Sequence, residues 1–131
     1  MDTSTSESPA STDAVFVFGS NLAGRHGKGA ALYARQHRGA IYGQGEGLQG
    51  RSYAITTKDA AIRTLPLDAI ASHVARFVEF ARANPQLRFE VTAIGCGVAG
   101  YVPAQIAPLF KGAPANCTLP AEFVAVLGLG H

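Results

Sequence analysis

Two hydrophobic rhythms alternate along this chain. Residues 15–18, Val-Phe-Val-Phe, form a short, wholly apolar run closed by Gly19, the pattern of a strand buried on both faces. Residues 28–38 then read as a helix in which Ala30, Ala31 and Ala34 are small enough to pack close against a sheet. Residues 40–42 and 52–57 read as strands. The spacer between them, from Gly43 to Gly50, is so rich in glycine that it predicts a mobile loop rather than a regular element. The clearest helix covers 67–83, because Ile70, Val74, Phe77, Val78 and Ala81 recur at helical spacing. Asp68 suits its positive N-terminal end, and Asn84-Pro85 stops it. Residues 88–94 predict a strand, 103–110 a short helix with Pro103 in its first turn, and 123–127 a closing strand. The order βαββαβαβ, without internal repeat, predicts one α/β domain over 14–131, a mixed sheet with helices on both faces.

Composition fits that class. A chain of 131 residues, 47% hydrophobic and 15% charged, is long enough for one buried core and far from a disordered composition. No apolar run reaches the ~18 residues of a membrane helix. Residues 1–13 are Ser/Thr-rich and acidic, lack the basic and apolar regions of a secretion signal, and predict a disordered tail. Cys96 and Cys117 are too few for a disulfide framework or a four-ligand zinc site. They read as small buried hydrophobes in a reducing compartment, so the expected location is cytoplasmic, without a membrane partner. The formal charge is +2, but the tail holds Asp2, Glu7 and Asp13 and no Lys or Arg. Residues 14–131 therefore carry eleven basic against six acidic residues, or +5. The excess gathers early, where Arg25, Lys28, Arg35, Arg38, Arg51, Lys58 and Arg63 face only Glu46 and Asp59. An anionic ligand fits that imbalance, and so does a solvated basic face.

The candidate chemistry sits in two glycine-rich turns, each directly behind an apolar strand. The first runs Gly19-Ser20-Asn21-Leu22-Ala23-Gly24-Arg25-His26-Gly27-Lys28-Gly29-Ala30, the second Gly95-Cys96-Gly97-Val98-Ala99-Gly100-Tyr101. Turns without Cβ atoms bring backbone N–H groups close to a ligand, and successive N–H groups form anion-binding concavities. Open α/β sheets bind ligands beyond the carboxyl ends of their strands, so the two turns predict two walls of one phosphate cleft. Familiar motifs do not account for them. Gly19 and Gly24 have Walker spacing, but Arg25-His26 follow in place of Lys-Ser/Thr. Gly95, Gly97 and Gly100 spell the dinucleotide fingerprint, yet Pro103 follows at once and no acidic residue closes the next predicted strand. His26, His37, His73 and His131 make no zinc-ligand spacing with the cysteines, so no metal site is expected.

Strand, asparagine, Gly-rich turn, small-residue helix and a later Gly-x-Gly-x-x-Gly-aromatic, in that order, resemble the macrodomains, an ADP-ribose-binding family, over about 15–110. The chain looks closest to the branch that includes terminal ADP-ribose–protein glycohydrolase, through Ile55-Thr56-Thr57-Lys58 and Ile94-Gly95-Cys96-Gly97. Small bacterial and phage proteins of this type are similar too. The resemblance implies a three-layer α/β/α sandwich with a mixed sheet, and an ADP-ribose-like ligand with no required cofactor. It implies a first wall of Gly19, Ser20, Asn21, Gly27, Lys28, Gly29 and Ala30, with Asn21 on a ribose hydroxyl. It implies a second loop, Gly95, Cys96, Gly97, Val98, Ala99 and Gly100, around the diphosphate, with Tyr101 beside a ribose.

Lys58 is the nearest match to the glycohydrolase's nucleophilic lysine. Two departures stand beside these matches: no Gly-Asp-Ile precedes Val15 to read adenine, and Ala99 stands near the place of the lysine's acidic partner. Asp59 and His26 are the substitutes at hand for acid–base work. Each residue also has a plainer reading: a solvated Lys58, a solvent-facing His26, an Asn21 that caps its own turn, a Tyr101 packed on Pro103. Three functions remain open. One is binding of ADP-ribose or a related nucleotide diphosphate. Another is an ADP-ribosyl hydrolase acting on modified protein or nucleic acid through Lys58 or an activated water. The third is an RNA- or protein-binding module using the basic face.

Overall fold

The computed structural model describes residues 14–128. The disorder expected of 1–13 concerns residues outside that range, as does His131. In chain order the elements are β1 (Val15–Asn21), α1 (Gly29–His37), β2 (Gly47–Gln49), β3 (Ser52–Lys58), α2 (Leu67–Ala83), β4 (Phe89–Val91), α3 (Pro103–Ile106), β5 (Cys117–Thr118) and α4 (Ala121–Leu127). Short 3₁₀ turns at Gly97–Ala99 and Ala107–Phe110 flank α3. The sheet order is β2-β3-β1-β4-β5. Only β2 runs antiparallel to its neighbour; β1, β3, β4 and β5 are mutually parallel, so the α/β fold has a five-stranded mixed sheet with four helices among the described residues.

Alternation along β1 explains why its apolar run is continuous. Val15 and Val17 join a large core with Ile70, Val74 and Phe77 of α2, whereas Phe18 joins a smaller one with Ala34 of α1 and Ala54 of β3. Both faces of the strand are covered, so neither set of side chains is free to be polar. The alanines of α1 allow the close approach expected of them, and Ala34 is wholly buried. The residues read as periodic in α2 are the ones it buries: Ile70, Val74, Phe77, Val78 and Ala81. Phe77 anchors an aromatic cluster, edge-on to Tyr53 at 5.1 Å and to Phe89 at 5.3 Å. Full burial of one such side chain is worth about 1.5–3 kcal/mol.

Four expectations need correction. Residues 40–42 are not a strand: Ile41 and Tyr42 are more than half exposed, and the Ile41 amide donates to Gln49 Oε1 at 2.7 Å. The partner of β3 is instead β2, inside the glycine-rich spacer. Side-chain amides brace that segment, with Gln44 Nε2 on the carbonyls of Glu46 and Leu48, and Gln49 Nε2 on those of Gln44 and Gly47. Gly45 serves there for closeness, because a Cβ on it would stand 2.2 Å from the Asn21 carbonyl oxygen, whereas Gly43 and Gly47 turn the chain at φ +98° and +94°. β4 is shorter than 88–94: the amide and hydroxyl of Thr92 both turn onto the Val17 carbonyl, at 3.1 and 2.7 Å. Finally, 123–127 belongs to a helix, and the last strand is the two-residue β5. Glu122 lies in the first turn of α4, Gly128 closes it in a left-handed conformation, and Phe123 packs on Phe110 at 5.6 Å. A short apolar run fits a strand or a buried helix equally, and tertiary packing decided between them. None of the described helices is long and apolar enough to cross a membrane.

Candidate functional site

The parallel strands β1, β3 and β4 end at the same edge of the sheet. After β1 the chain leaves toward α1 on the Phe18 face; after β4 it leaves toward α3, whose Ile106 packs in the opposite core. Neighbouring strands whose continuations part to opposite faces open a crevice between them, the topological switch point of an open α/β sheet. A cleft of about 580 Å³ lies there, within the roughly 300–1,000 Å³ usual for small-molecule sites.

The structure brings most of the expected residues to this cleft. Gly19, Ser20 and Asn21 line it from the end of β1, and Gly27, Lys28, Gly29 and Ala30 from the turn into α1. Gly95, Cys96 and Ala99 line it from the second loop, and Lys58 from the end of β3. Gly97 and Val98 belong to the adjoining 3₁₀ turn, which Gly100 closes at φ +97°; Gly97 and Gly100 lie outside the lining. Arg25, Ala31, Thr57, Ile62, Thr92, Ala93 and Ile94 also face the cleft. Thr57 and Thr92 were discoverable from their strand-end positions, whereas nothing in the local pattern singled out Ile62.

The lining is electropositive. α1 begins at Lys28 with no side-chain cap, and its first hydrogen bond runs from the Leu32 amide to the Lys28 carbonyl at 3.1 Å. The amides of Gly29, Ala30 and Ala31 therefore have no acceptor within the helix, and they sit at the positive end of its dipole. Arg25, Lys28 and Lys58 add three cationic side chains, and among the described residues no Asp or Glu lines the cleft. Backbone donors at a helix N-terminus, cations and absent carboxylates together make an anion-binding arrangement.

Four of the expected side chains do other work. Asn21 clasps its own loop: Nδ2 donates to the Arg25 carbonyl and Oδ1 accepts from the Arg25 amide, both at 3.0 Å. His26 is neither at the cleft nor solvent-facing. It is fully buried, edge-on to Phe18 at 5.2 Å, with Nε2 3.1 Å from the Gln44 carbonyl and 3.3 Å from Gln49 Oε1. The histidine thereby ties the first glycine turn to the β2 hairpin. Asp59 holds the turn after β3, its carboxylate accepting from the amides of Ala61 and Arg63 at 2.9 Å and pairing with the Arg63 guanidinium. The amide donated by Arg63 leads the interactions that hold this carboxyl below its ordinary value, so it is an anion committed to its turn rather than an acid aimed at Lys58. Tyr101 packs against the large core and donates its hydroxyl to the Leu65 carbonyl at 2.9 Å, away from the lining.

The cysteines are free thiols. Burial, helped by the charge of Glu122, pushes Cys96 above the ordinary thiol value, and burial pushes Cys117 up to about 11 against the pull of Arg82. Neither is poised as a thiolate nucleophile. Among the described residues no group of His, Cys, Asp and Glu has a geometry that holds a metal ion. Comparison with protein-family models, curated proteins and solved structures finds no match for this chain.

Proposed function

We propose that this chain binds ADP-ribose or a related nucleotide diphosphate in the cleft between its two glycine-rich loops. One observation carries the reading: two loops about seventy residues apart line a single switch-point cleft that has a helix N-terminus, three cations and, among the described residues, no carboxylate. Diphosphate oxygens would take the α1 amides and the second loop's backbone, with Arg25, Lys28 and Lys58 balancing their charge. The ligand's ribose would find no ready hydroxyl partner in Asn21, whose amide group already clasps Arg25. Calorimetric titration with ADP-ribose, NAD, ADP and short RNA tests the proposal. Binding of ADP-ribose in preference to RNA is expected; a protein that binds none of the nucleotides would overturn it.

A second reading keeps one specific support. Lys58 lines the cleft, and no hydrogen bond or ion pair occupies its ammonium among the described residues. An ADP-ribosyl hydrolase would use this lysine, or a water held beside it. Among the described residues no carboxylic acid shares the lining to act with it, which ranks binding ahead of turnover. Rapid release of ADP-ribose from modified protein or nucleic acid, abolished by Lys58→Ala, would reverse that ranking.

A further inference from the structure

Ile62 is the one described residue other than glycine with a positive φ, +66°. A β-branched side chain in that region is a steric outlier, and outliers persist where their surroundings over-determine them. The surroundings here do so. Lys58 and Thr64 pair across an antiparallel bridge. Between them the Ile62 amide donates to the Asp59 carbonyl at 3.0 Å, and the Asp59 amide to the Arg63 carbonyl at 2.8 Å. The Asp59 carboxylate fixes the same turn from inside, and Thr64 Oγ1 fastens it to the second glycine loop through the Ala99 carbonyl at 2.8 Å. Hairpin turns that pass through a left-handed residue take glycine there, as this chain does at every other described positive-φ position.

The side chain retained against that preference is 39% exposed and faces the cleft. It belongs to neither hydrophobic core, so packing of the fold does not explain it. An exposed apolar group gains nothing from phosphate oxygens, which need donors, but it gains from covering the apolar face of a ring.

We infer that Ile62 is a ligand-positioning residue: an apolar platform, held on a strained turn, against which the nucleobase of the ligand packs while its phosphates lie on the loop amides. The inference rests on the nucleotide reading above and names the part of the ligand that distinguishes a nucleotide from an inorganic phosphate.

Wild type, Ile62→Gly and Ile62→Asn are titrated with ADP-ribose and with inorganic pyrophosphate, and their thermal unfolding is followed. Both replacements tolerate the left-handed backbone, so each is expected to raise Tm by about 3 °C. Each is expected to weaken ADP-ribose about tenfold while holding pyrophosphate within about twofold. Stability and affinity then move in opposite directions, which a merely structural residue does not do. Unchanged ADP-ribose affinity in both variants, an equal loss for the two ligands, or a fall in Tm overturns the platform while the nucleotide reading stands. A wild type that binds pyrophosphate but not ADP-ribose also overturns it and leaves a bare phosphate site. A wild type that binds neither removes the nucleotide reading and the platform together.

Discussion

Glycines in this chain do two different jobs, and single substitutions tell them apart. Gly27 lines the cleft with open space around its would-be Cβ and no positive φ, so the first carbon of a side chain there has no protein atom within 4 Å. Gly27→Glu is expected to unfold at the wild-type midpoint yet lose ADP-ribose binding, because its carboxylate occupies and repels the phosphate position; unchanged affinity in a folded variant counts against the site. Gly45 is the opposite case. A Cβ there falls 2.2 Å from the Asn21 carbonyl oxygen, which is backbone and cannot swing aside. Gly45→Ala is expected to lose about 2 kcal/mol or more in chemical denaturation, as overpacked sites do. A variant as stable as wild type would show that the β2 hairpin does not press against the end of β1.

At the scale of elements, an electrostatic contact from Glu46, just before β2, joins the packing of Tyr53 on Phe77 in holding that hairpin to α2. Glu46 accepts from Arg76 Nε at 2.9 Å and lies 2.8 Å from His73 Nδ1. His73 Nδ1 is also 2.8 Å from Arg76 Nη2, and one ring nitrogen serves only one of them at a time, as N–H to the carboxylate or as lone pair to the guanidinium. Burial opposes ionisation of Glu46, but hydrogen bonds from Arg76 and His73, with their charges, outweigh it and hold the carboxyl below 4.5. A depressed carboxyl value stabilises the fold above the unfolded value, and that contribution is lost as pH falls through the folded one. Wild type is therefore expected to exceed Glu46→Gln by about 0.5–1 kcal/mol at neutral pH. The gap should close as pH drops below 4.5. Urea midpoints of both proteins across that range check it, and a gap independent of pH would assign the effect to packing.

For the whole molecule, the early basic excess divides once the fold is known. Arg38 is nearly buried, donates to the Ala14 carbonyl and lies over Phe16 and Tyr33; Arg63 pairs with Asp59, and Arg35 lies over Tyr42. What faces the cleft is Arg25, Lys28 and Lys58. A compact diphosphate meeting those three should show a shallow salt dependence, whereas each nucleic-acid phosphate neutralised steepens the slope. A titration series in rising salt is expected to give the shallow case. A slope equivalent to about four or more phosphates, without ADP-ribose competition, would put the RNA reading first.

The sequence alone determined the apolar β1, the extent and buried face of α2, the small-residue packing of α1 and the two loops that meet at the cleft. Those features are written in spacing: a helix or a doubly buried strand repeats its environment every few residues, so composition reports burial directly. Only the tertiary structure decided that the strand beside β3 is 47–49 rather than 40–42, and that 123–127 coils into α4. It alone turned His26 into the core, closed Asn21 on Arg25 and set Ile62 over the cleft. Short runs, glycines and single polar residues are compatible with several local conformations of nearly equal energy. Their choice among them comes from neighbours distant in the chain, whose positions no local pattern contains.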